Sequence, residues 1–308
     1  MAAADIFPMN GNGLEEVGCP VCGAAGESQF ALRDWFCGLP GEFGERHCGR
    51  CDVFFLSPRV PEALISRYYP ESYSAYTADQ TPLWIRLLSG WVGLTTRRLR
   101  MVEHHLRGGS ILDVGCGNGW FLNLLRSPQW QCYAMDIAVN PAVEKGLGVP
   151  VFTGQFDHEK PPLADLDAIT LWHVFEHLYH PRRALQHAQE LLRDRGFLFI
   201  TVPDLVNIDR RIFGRYWVGW DAPRHLALYS KQALERLLGE AGFHLVAVRP
   251  APYTGDYFLM NLDFLMAKQG RRVRPSRWLP PRLAIAPALW GLARIGLAPV
   301  KMYVAQKN

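Results

Sequence analysis

Between residues 110 and 202, short runs of β-forming residues alternate with helix-forming segments, and this alternation limits the fold more than any other feature of the sequence. The predicted strands are SILDV, QCYAMD, VPVFT, DAITLW and GFLFITV, and the predicted helices include FLNLLRS and RRALQHAQELLRD. Strands separated by helices pair in parallel through right-handed crossovers. The sequence therefore predicts an α/β domain whose ligand binds beyond the carboxyl ends of the strands.

A glycine-rich loop follows the first of these strands, at the edge where this fold binds its ligands. Its sequence is Asp113-Val-Gly115-Cys-Gly117-Asn-Gly119. Glycines at these spacings let the backbone turn sharply and come close to a ligand. A dinucleotide-binding G-x-G-x-x-G loop would require glycine where Trp120 stands. The loop instead resembles the D-x-G-x-G-x-G loop of class I S-adenosylmethionine-dependent methyltransferases.

Three further segments carry the same resemblance, and together they imply a seven-stranded Rossmann-like sheet that binds S-adenosyl-L-methionine. Asp136 ends the second strand, where the family places an acid that holds both ribose hydroxyls, and Ile137 follows it. After the third strand, Gln155 and Phe156 match the loop that reads the adenine, and which of them contacts the exocyclic amine stays open. His173, in the motif WHVFEHL, is placed beside the methionine end of the cofactor.

Methyl transfer from a sulfonium requires alignment of the acceptor and, for many acceptors, removal of a proton. The candidate bases are His225, His177 and Glu176, and His225 is favoured over His177. Histidine suits this role because it titrates near neutral pH. A hydrogen bond that caps the local turn is an equally open interpretation of Glu176 and His177.

An aromatic-rich stretch, VNIDRRIFGRYWVGWD, precedes His225 and is predicted as a lid over the acceptor pocket. Arg224 then has two open interpretations. It orients an anionic acceptor, or it forms an ion pair with Asp221 or Asp204. The features from residue 19 to residue 226 together resemble bacterial methyltransferases of sugar, glycan, natural-product and lipid pathways.

Two C-x-x-C pairs near the start of the chain predict a closed structural zinc site, with redox dithiols as the alternative. Twenty-five residues separate the pairs, whose members are Cys19, Cys22, Cys48 and Cys51. Four thiolates complete a tetrahedral site and leave no position open for chemistry. The predicted organisation is therefore a zinc ribbon over residues 1–60, a connector over 61–109 with helices inside 82–107, and a methyltransferase domain over 110–308.

An insertion over residues 250–299, before a last strand at 300–307, is predicted to be helical. Residues 250–308 hold nine Lys and Arg against two Asp, whereas residues 1–60 hold four Arg against eight Asp and Glu. The apolar run LAIAPALWGLARIGLAPV, at 283–300, is interrupted by Pro287 and Arg294. Two interpretations stay open: a surface that lies on an anionic membrane, or a helical cap that packs on its own domain or forms a homodimer.

The sequence predicts a cytoplasmic enzyme that methylates a small-molecule or lipid-linked acceptor, such as a glycan intermediate or an isoprenoid-like molecule, at the inner face of the membrane. Two alternatives remain, a zinc-ribbon RNA methyltransferase and a non-catalytic binding or scaffold protein on a methyltransferase fold. The acidic first 60 residues disfavour a nucleic-acid partner, because phosphate contacts require Lys and Arg. The intact glycines and Asp136 disfavour a scaffold without activity.

Overall fold

The computed structural model describes residues 13–70, 97–138, 141–251, 256–268, 276 and 279–308. The strands are β1 Glu27–Leu32, β2 Phe43–Cys48, β3 Val53–Leu56, β4 Gly109–Val114, β5 Trp130–Asp136, β6 Val151–Thr153, β7 Leu166–Trp172, β8 Leu192–Pro203, β9 Ala227–Tyr229, β10 Phe243–Pro250 and β11 Val300–Lys307. The helices are α1 Glu62–Ile65, α2 Arg97–His105, α3 Trp120–Leu124, α4 Pro141–Leu147, α5 Pro181–Leu191, α6 Ile208–Phe213, α7 Lys231–Glu240, α8 Asp256–Lys268 and α9 Leu279–Arg294. The part of the predicted connector helices before residue 97 lies outside the described residues.

The chain divides into two compact units. The first, here called the ribbon unit, comprises Met1–Pro70, Val202–Leu234 and Arg249–Lys301. The second, the sheet unit, comprises Glu71–Thr201, Glu235–Val248 and Met302–Asn308. This division differs from the predicted domain boundaries, because two segments expected in the methyltransferase domain group with the cysteine-containing segment.

A seven-stranded sheet in the order β10-β11-β8-β7-β4-β5-β6 confirms the predicted Rossmann-like methyltransferase fold. Strand β4 pairs in parallel with β5 and β7, β5 with β6, and β7 with β8. The strands form because their β-branched and aromatic residues can be buried on both faces of a parallel sheet. Ile111 and Leu112, which point to opposite faces of β4, are both fully buried.

The carboxyl ends of β4, β5 and β7 meet at one edge of this sheet. Asp113 and Asp136 lie at the ends of β4 and β5, and Trp172 ends β7. The glycine loop, Ile137 and the WHVFEHL motif therefore follow three neighbouring strands at the same edge. This is the edge at which the sequence predicts the cofactor site.

The ribbon unit contains a four-stranded sheet in the order β1-β2-β3-β9, and each neighbouring pair is antiparallel. Its fourth strand, β9, comes from residues 227–229, so residues 1–60 do not complete the predicted ribbon by themselves. The predicted lid is also wrong in its packing. Trp217 and Trp220 are 1% and 4% exposed and belong to the aromatic core of this unit, with Phe43, Phe54 and Tyr68.

The segment before the last strand contains α8 and α9, which confirms the predicted helical insertion. Leu289, Ala293 and Ala298 form a small buried cluster against Ile208 of α6 and Phe258 of α8. Strand β11 then lies between β10 and β8. Among the described residues, no helix combines the length and the apolar character needed to cross a membrane.

Candidate functional site

The loop after β4 requires glycine at the positions that the sequence singled out. Gly115, Gly117 and Gly119 have φ values of 69°, 53° and 70°. A Cβ on Gly115 would lie 2.3 Å from Cγ2 of Val174, and a Cβ on Gly119 would lie 2.4 Å from Cδ2 of Leu147. The backbone of the loop therefore turns in a conformation, and packs at a distance, that a side chain would prevent.

Asp136 is joined to this loop by a hydrogen bond. The backbone N–H of Gly117 donates to its Oδ2 at 2.8 Å. Burial raises the pKa of Asp136, and the N–H groups of Gly117, Ala138 and Ile137 lower it. A carboxylate can accept from two hydroxyl groups at once, as a ribose diol requires.

Ile137 places an apolar side chain at the surface directly after β5. The side chain is 48% exposed, although isoleucine is usually buried. An apolar surface beside a carboxylate fits a nucleoside, which presents a flat base next to its ribose. The residues at this edge therefore fit the predicted cofactor.

Asp113 has a different role from the other acid of the site. It is 2% exposed, and the hydroxyl of Thr170 donates to its Oδ1 at 2.6 Å. Burial raises its pKa to about 7, against the Thr170 hydrogen bond and the charge of Arg98, which lower it. Asp113 therefore ties β4 to β7 beneath the loop.

Arg98 is a residue of this region that sequence reasoning missed. Its guanidinium lies 6.0 Å from the ring centroid of Trp120 and 5.3 Å from that of Trp172. It comes from α2, inside the segment predicted as a connector, where no motif marks it. Only the position of its helix directly before β4 could have pointed to it.

The two residues predicted to contact the adenine differ in how deeply they are buried. Phe156 is buried, its ring contacts His187, and its carbonyl accepts from Nδ1 of His187 at 2.7 Å. Gln155 is half-buried, and its carbonyl accepts from the N–H groups of His158 and Glu159. The amide side chain of Gln155 therefore lies closer to the surface than the Phe156 ring.

His173 and Glu176 are brought together in the motif after β7. Nδ1 of His173 lies 3.3 Å from Oε1 of the fully buried Glu176. The backbone of His173 has a φ of 60°, and its N–H donates to the carbonyl of Thr201. Glu176 therefore orients the His173 ring, and His177 ends the short 3-10 turn that contains Glu176.

His225 belongs to the ribbon unit, where one ring nitrogen is bound to backbone. Its Nδ1 lies 2.7 Å from the carbonyl oxygen of Gly219, and because a carbonyl oxygen only accepts, Nδ1 carries the hydrogen of this bond. Nε2 lies 4.0 Å from Oδ2 of Asp221, and the side chain is 12% exposed. This tautomer leaves Nε2 as the atom that can accept a proton.

Arg224 does not orient an acceptor, because its side chain is fully buried in ion pairs. Its guanidinium donates to Oδ1 of Asp34 at 2.7 Å, to both oxygens of Asp221, and to the carbonyl of Tyr68 at 2.9 Å. Burial opposes the charge, and the two carboxylates hold the pKa above its ordinary value. Asp204 pairs instead with Lys301 at 2.6 Å.

The four predicted metal ligands converge in the ribbon unit. The Sγ atoms of Cys19, Cys22, Cys48 and Cys51 all lie within 4.8 Å of one another, and those of Cys22 and Cys48 are 3.6 Å apart. A tetrahedral zinc ion with Zn–S bonds of about 2.3 Å separates its sulfurs by about 3.8 Å. The cluster is therefore compatible with a bound Zn²⁺ ion.

The pKa values of three of these cysteines differ from one another. The backbone N–H of Ala24 lowers the pKa of Cys22 to about 7, whereas burial raises those of Cys19 and Cys51 to about 11 and about 12. A divalent cation binds thiolates, so it would supply the charge that stabilises all four.

Comparison with known proteins points to methyltransferases, in agreement with the residues found at the edge of the sheet. A family model described as "Methyltransferase domain" matches residues 92–248, half of the chain. A malonyl-[acyl-carrier protein] O-methyltransferase of Paenibacillus sp. is 28% identical over 208 residues, which cover 59% of this chain and 75% of the relative. A probable S-adenosylmethionine-dependent methyltransferase of Mycobacterium tuberculosis is 26% identical over 144 residues, which cover 45% of this chain and half of that protein.

Among solved structures, one S-adenosylmethionine-dependent methyltransferase of Thermotoga maritima, described as a possible histamine N-methyltransferase, shares the fold. The match has a TM-score of 0.50 at 16% identity and covers 78% of this chain and all of that one. At this identity the likeness concerns the fold alone.

Proposed function

Because the chain belongs to the methyltransferase-domain family and is an S-adenosylmethionine-dependent enzyme, we propose that it methylates a small-molecule or lipid-linked acceptor, with His225 as the general base. S-Adenosylmethionine, when bound, supplies an electrophilic methyl group on a sulfonium. The residues of the chain would hold the cofactor, orient the acceptor and remove a proton.

The proposed cofactor site is the edge formed after β4, β5 and β7. Asp136 accepts from the ribose hydroxyls, Ile137 and Gln155 lie against the adenosine, and the loop of Gly115, Gly117 and Gly119 leaves room for the cofactor. His173, oriented by Glu176, lies toward the methionine end. Asp113 supports the loop from below through Thr170.

The contact between Nδ1 of His225 and the Gly219 carbonyl is the observation that supports the proposed chemistry. A histidine acts as a base only through a ring nitrogen without hydrogen, and the bond from Nδ1 to the Gly219 carbonyl makes that nitrogen Nε2. Asp221 would stabilise the imidazolium that forms when Nε2 takes a proton. His177 stays the second candidate, since its side chain is half-buried.

The proposed acceptor is small or attached to a lipid. The Paenibacillus relative acts on a malonyl group carried by a protein, which is a small acyl acceptor. A glycan intermediate or an isoprenoid-like molecule would fit the basic, apolar composition of residues 250–308, and would place the enzyme at the inner face of the cytoplasmic membrane.

We further propose that Cys19, Cys22, Cys48 and Cys51 hold a structural Zn²⁺ ion. The supporting observations are the mutual distances of the four sulfurs and the two turns in which they sit. In those turns the N–H of Gly23 donates to the Cys19 carbonyl, and the N–H of Asp52 donates to the Cys48 carbonyl. The ion would stabilise the fold without taking part in methyl transfer.

The test of the proposed base is transfer of labelled methyl groups to a library of soluble metabolites, nucleotide sugars and lipid extracts. In the His225→Gln variant we expect turnover on the identified acceptor to fall about 10²–10⁴-fold, with unchanged affinity for S-adenosylmethionine. His177→Gln is the matched variant. Full activity of His225→Gln, with loss in His177→Gln, would transfer the role to His177.

A further inference from the structure

Helix α9 packs one apolar face inside the ribbon unit and leaves other apolar side chains exposed. Its inner face, with Leu289 and Ala293, packs against α6 and α8. Outside this contact, Trp290 is 51% exposed, and Ile295, in the turn after the helix, is 71% exposed. Large apolar side chains grouped at the surface mark an interaction site more often than isolated ones do.

A third exposed apolar side chain lies on α6, the helix that packs against α9. Ile208 and Ile212 are four residues apart and share a helical face. Ile208 packs against the Leu289 cluster, whereas Ile212 is 58% exposed. The group formed by Ile212, Trp290, Arg294 and Ile295 is called the docking face below.

Among the described residues of α6 and α9, the exposed charged side chains are arginines. The Arg294 guanidinium lies 4.2 Å from the ring centroid of Trp290, and Arg211 and Arg215 are exposed on and directly after α6. The sequence of α9 contains no Asp or Glu. The acid of α6, Asp209, is buried and accepts from the amide of Asn261. An apolar surface bordered by arginines is complementary to anionic lipid headgroups.

We propose that the docking face binds an anionic lipid surface. Helix α9 has 16 residues, so it is about 24 Å long and shorter than the roughly 30 Å hydrocarbon core. Because its inner face is occupied by its own unit, it would lie along the membrane. Trp290 would sit at headgroup level, Ile212 and Ile295 would enter the acyl boundary, and the arginines would contact phosphates.

This inference deepens the proposed function, because it names the surface through which a lipid-linked acceptor would be reached, and it rests on that function only for the acceptor. The experiment measures binding alone. The full-length protein is floated with phosphatidylcholine vesicles and with vesicles that also contain phosphatidylglycerol. We expect wild type to bind the anionic vesicles only, and added salt to weaken that binding.

Two variants of the docking face test its role. Trp290→Gln, Arg294→Gln and Ile295→Asn combined should lower the partition coefficient at least tenfold. Arg294→Gln alone should lower it about fivefold, the equivalent of about 1 kcal/mol per basic residue. Val246→Asn, which changes an exposed apolar side chain of β10 in the sheet unit, is the matched control and should bind vesicles as wild type does.

Several outcomes would overturn the inference. The inference is wrong if wild type fails to float, or if the triple variant floats as well as wild type. A dimer that the triple variant dissociates, without any vesicle binding, would assign the face to a second copy of the chain. Hydrogen exchange in the ribbon unit reports folding in each variant, and should the triple variant not fold, the single Arg294→Gln change decides. Absence of vesicle binding by wild type, with intact methylation of a soluble acceptor, would refute docking and leave the proposed function standing.

Discussion

The two units of this chain are stabilised by different means. The sheet unit rests on parallel strands buried on both faces, with fully buried residues such as Ile111, Ile169 and Phe199. The ribbon unit has a small antiparallel sheet, an aromatic core, a buried arginine between two carboxylates, and four converging cysteines. Burial of apolar surface depends little on any one residue, whereas a metal site or a buried ion pair fails when one member is lost.

This difference also separates the roles of the units. The proposed cofactor site consists of backbone turns at the ends of strands, which a rigid sheet fixes. The proposed base and the docking face belong to the ribbon unit. Substitutions in each unit should therefore have distinct consequences, and the following predictions test that distinction from the largest effect to the smallest.

Removal of the proposed zinc ion should have the largest effect. Cys48→Ser, or a strong chelator, should abolish the zinc content of the protein and unfold the ribbon unit, because binding of a structural zinc is worth about 10–16 kcal/mol in small domains. Metal analysis and hydrogen exchange resolved by segment are the measurements. Cys37→Ser, at a cysteine outside the cluster, is the control. A protein without bound metal and with native exchange in residues 13–70 would refute the proposed zinc site.

Loss of the buried arginine should come next. Arg224→Met leaves Asp34 and Asp221 buried without their cation, and we expect a loss of about 3–5 kcal/mol in the free energy of unfolding. Arg182→Met removes an exposed arginine that pairs with Glu240, and should cost less than about 1 kcal/mol. Denaturant unfolding of both variants gives the comparison. Equal losses would mean that the Arg224 cluster does not hold the ribbon unit together.

A single methyl group in the glycine loop should have a smaller but specific effect. Gly115→Ala adds a Cβ where φ is 69° and Val174 is in the way, so we expect a cost of about 1–3 kcal/mol and weaker cofactor binding. Gly146→Ala, in α4, meets nothing within 4 Å and should raise stability by about 0.5–1 kcal/mol. Thermal unfolding with and without S-adenosylmethionine measures both changes. A neutral Gly115→Ala would contradict the loop geometry described above.

The sequence predicted the sheet unit well because its signals are local. Each strand from β4 to β8 contains one short run of β-forming residues, and the glycine loop, Asp136 and His173 lie at or directly after the ends of such runs. The alternation of strands and helices, together with the positions of these residues in the chain, was enough to predict that they lie at one edge of the sheet. Packing adds one distinction that the sequence left open, since Phe156 is buried and Gln155 is half-buried.

The ribbon unit was predicted poorly because its structure depends on contacts between residues far apart in the chain. Nothing near residue 227 indicates that β9 pairs with β3. Trp217 and Trp220 lack a helical or strand period, so they suggested a lid, although they lie in a core. Arg224 meets Asp34 across 190 positions of sequence. The four cysteines were the exception, because their two C-x-x-C pairs predicted that they would converge, as they do.

The most direct test of the central claim is calorimetric titration of S-adenosylmethionine into wild type and into two matched variants. Asp136→Asn removes the proposed ribose acceptor, and Asp165→Asn changes an exposed acid before β7, at the opposite end of that strand. We predict about 10–100-fold weaker binding for Asp136→Asn, because hydrogen bonds to a charged group are worth about 1.5–3 kcal/mol, and unchanged binding for Asp165→Asn. Wild-type affinity in Asp136→Asn would contradict the assignment of this sheet edge as the cofactor site.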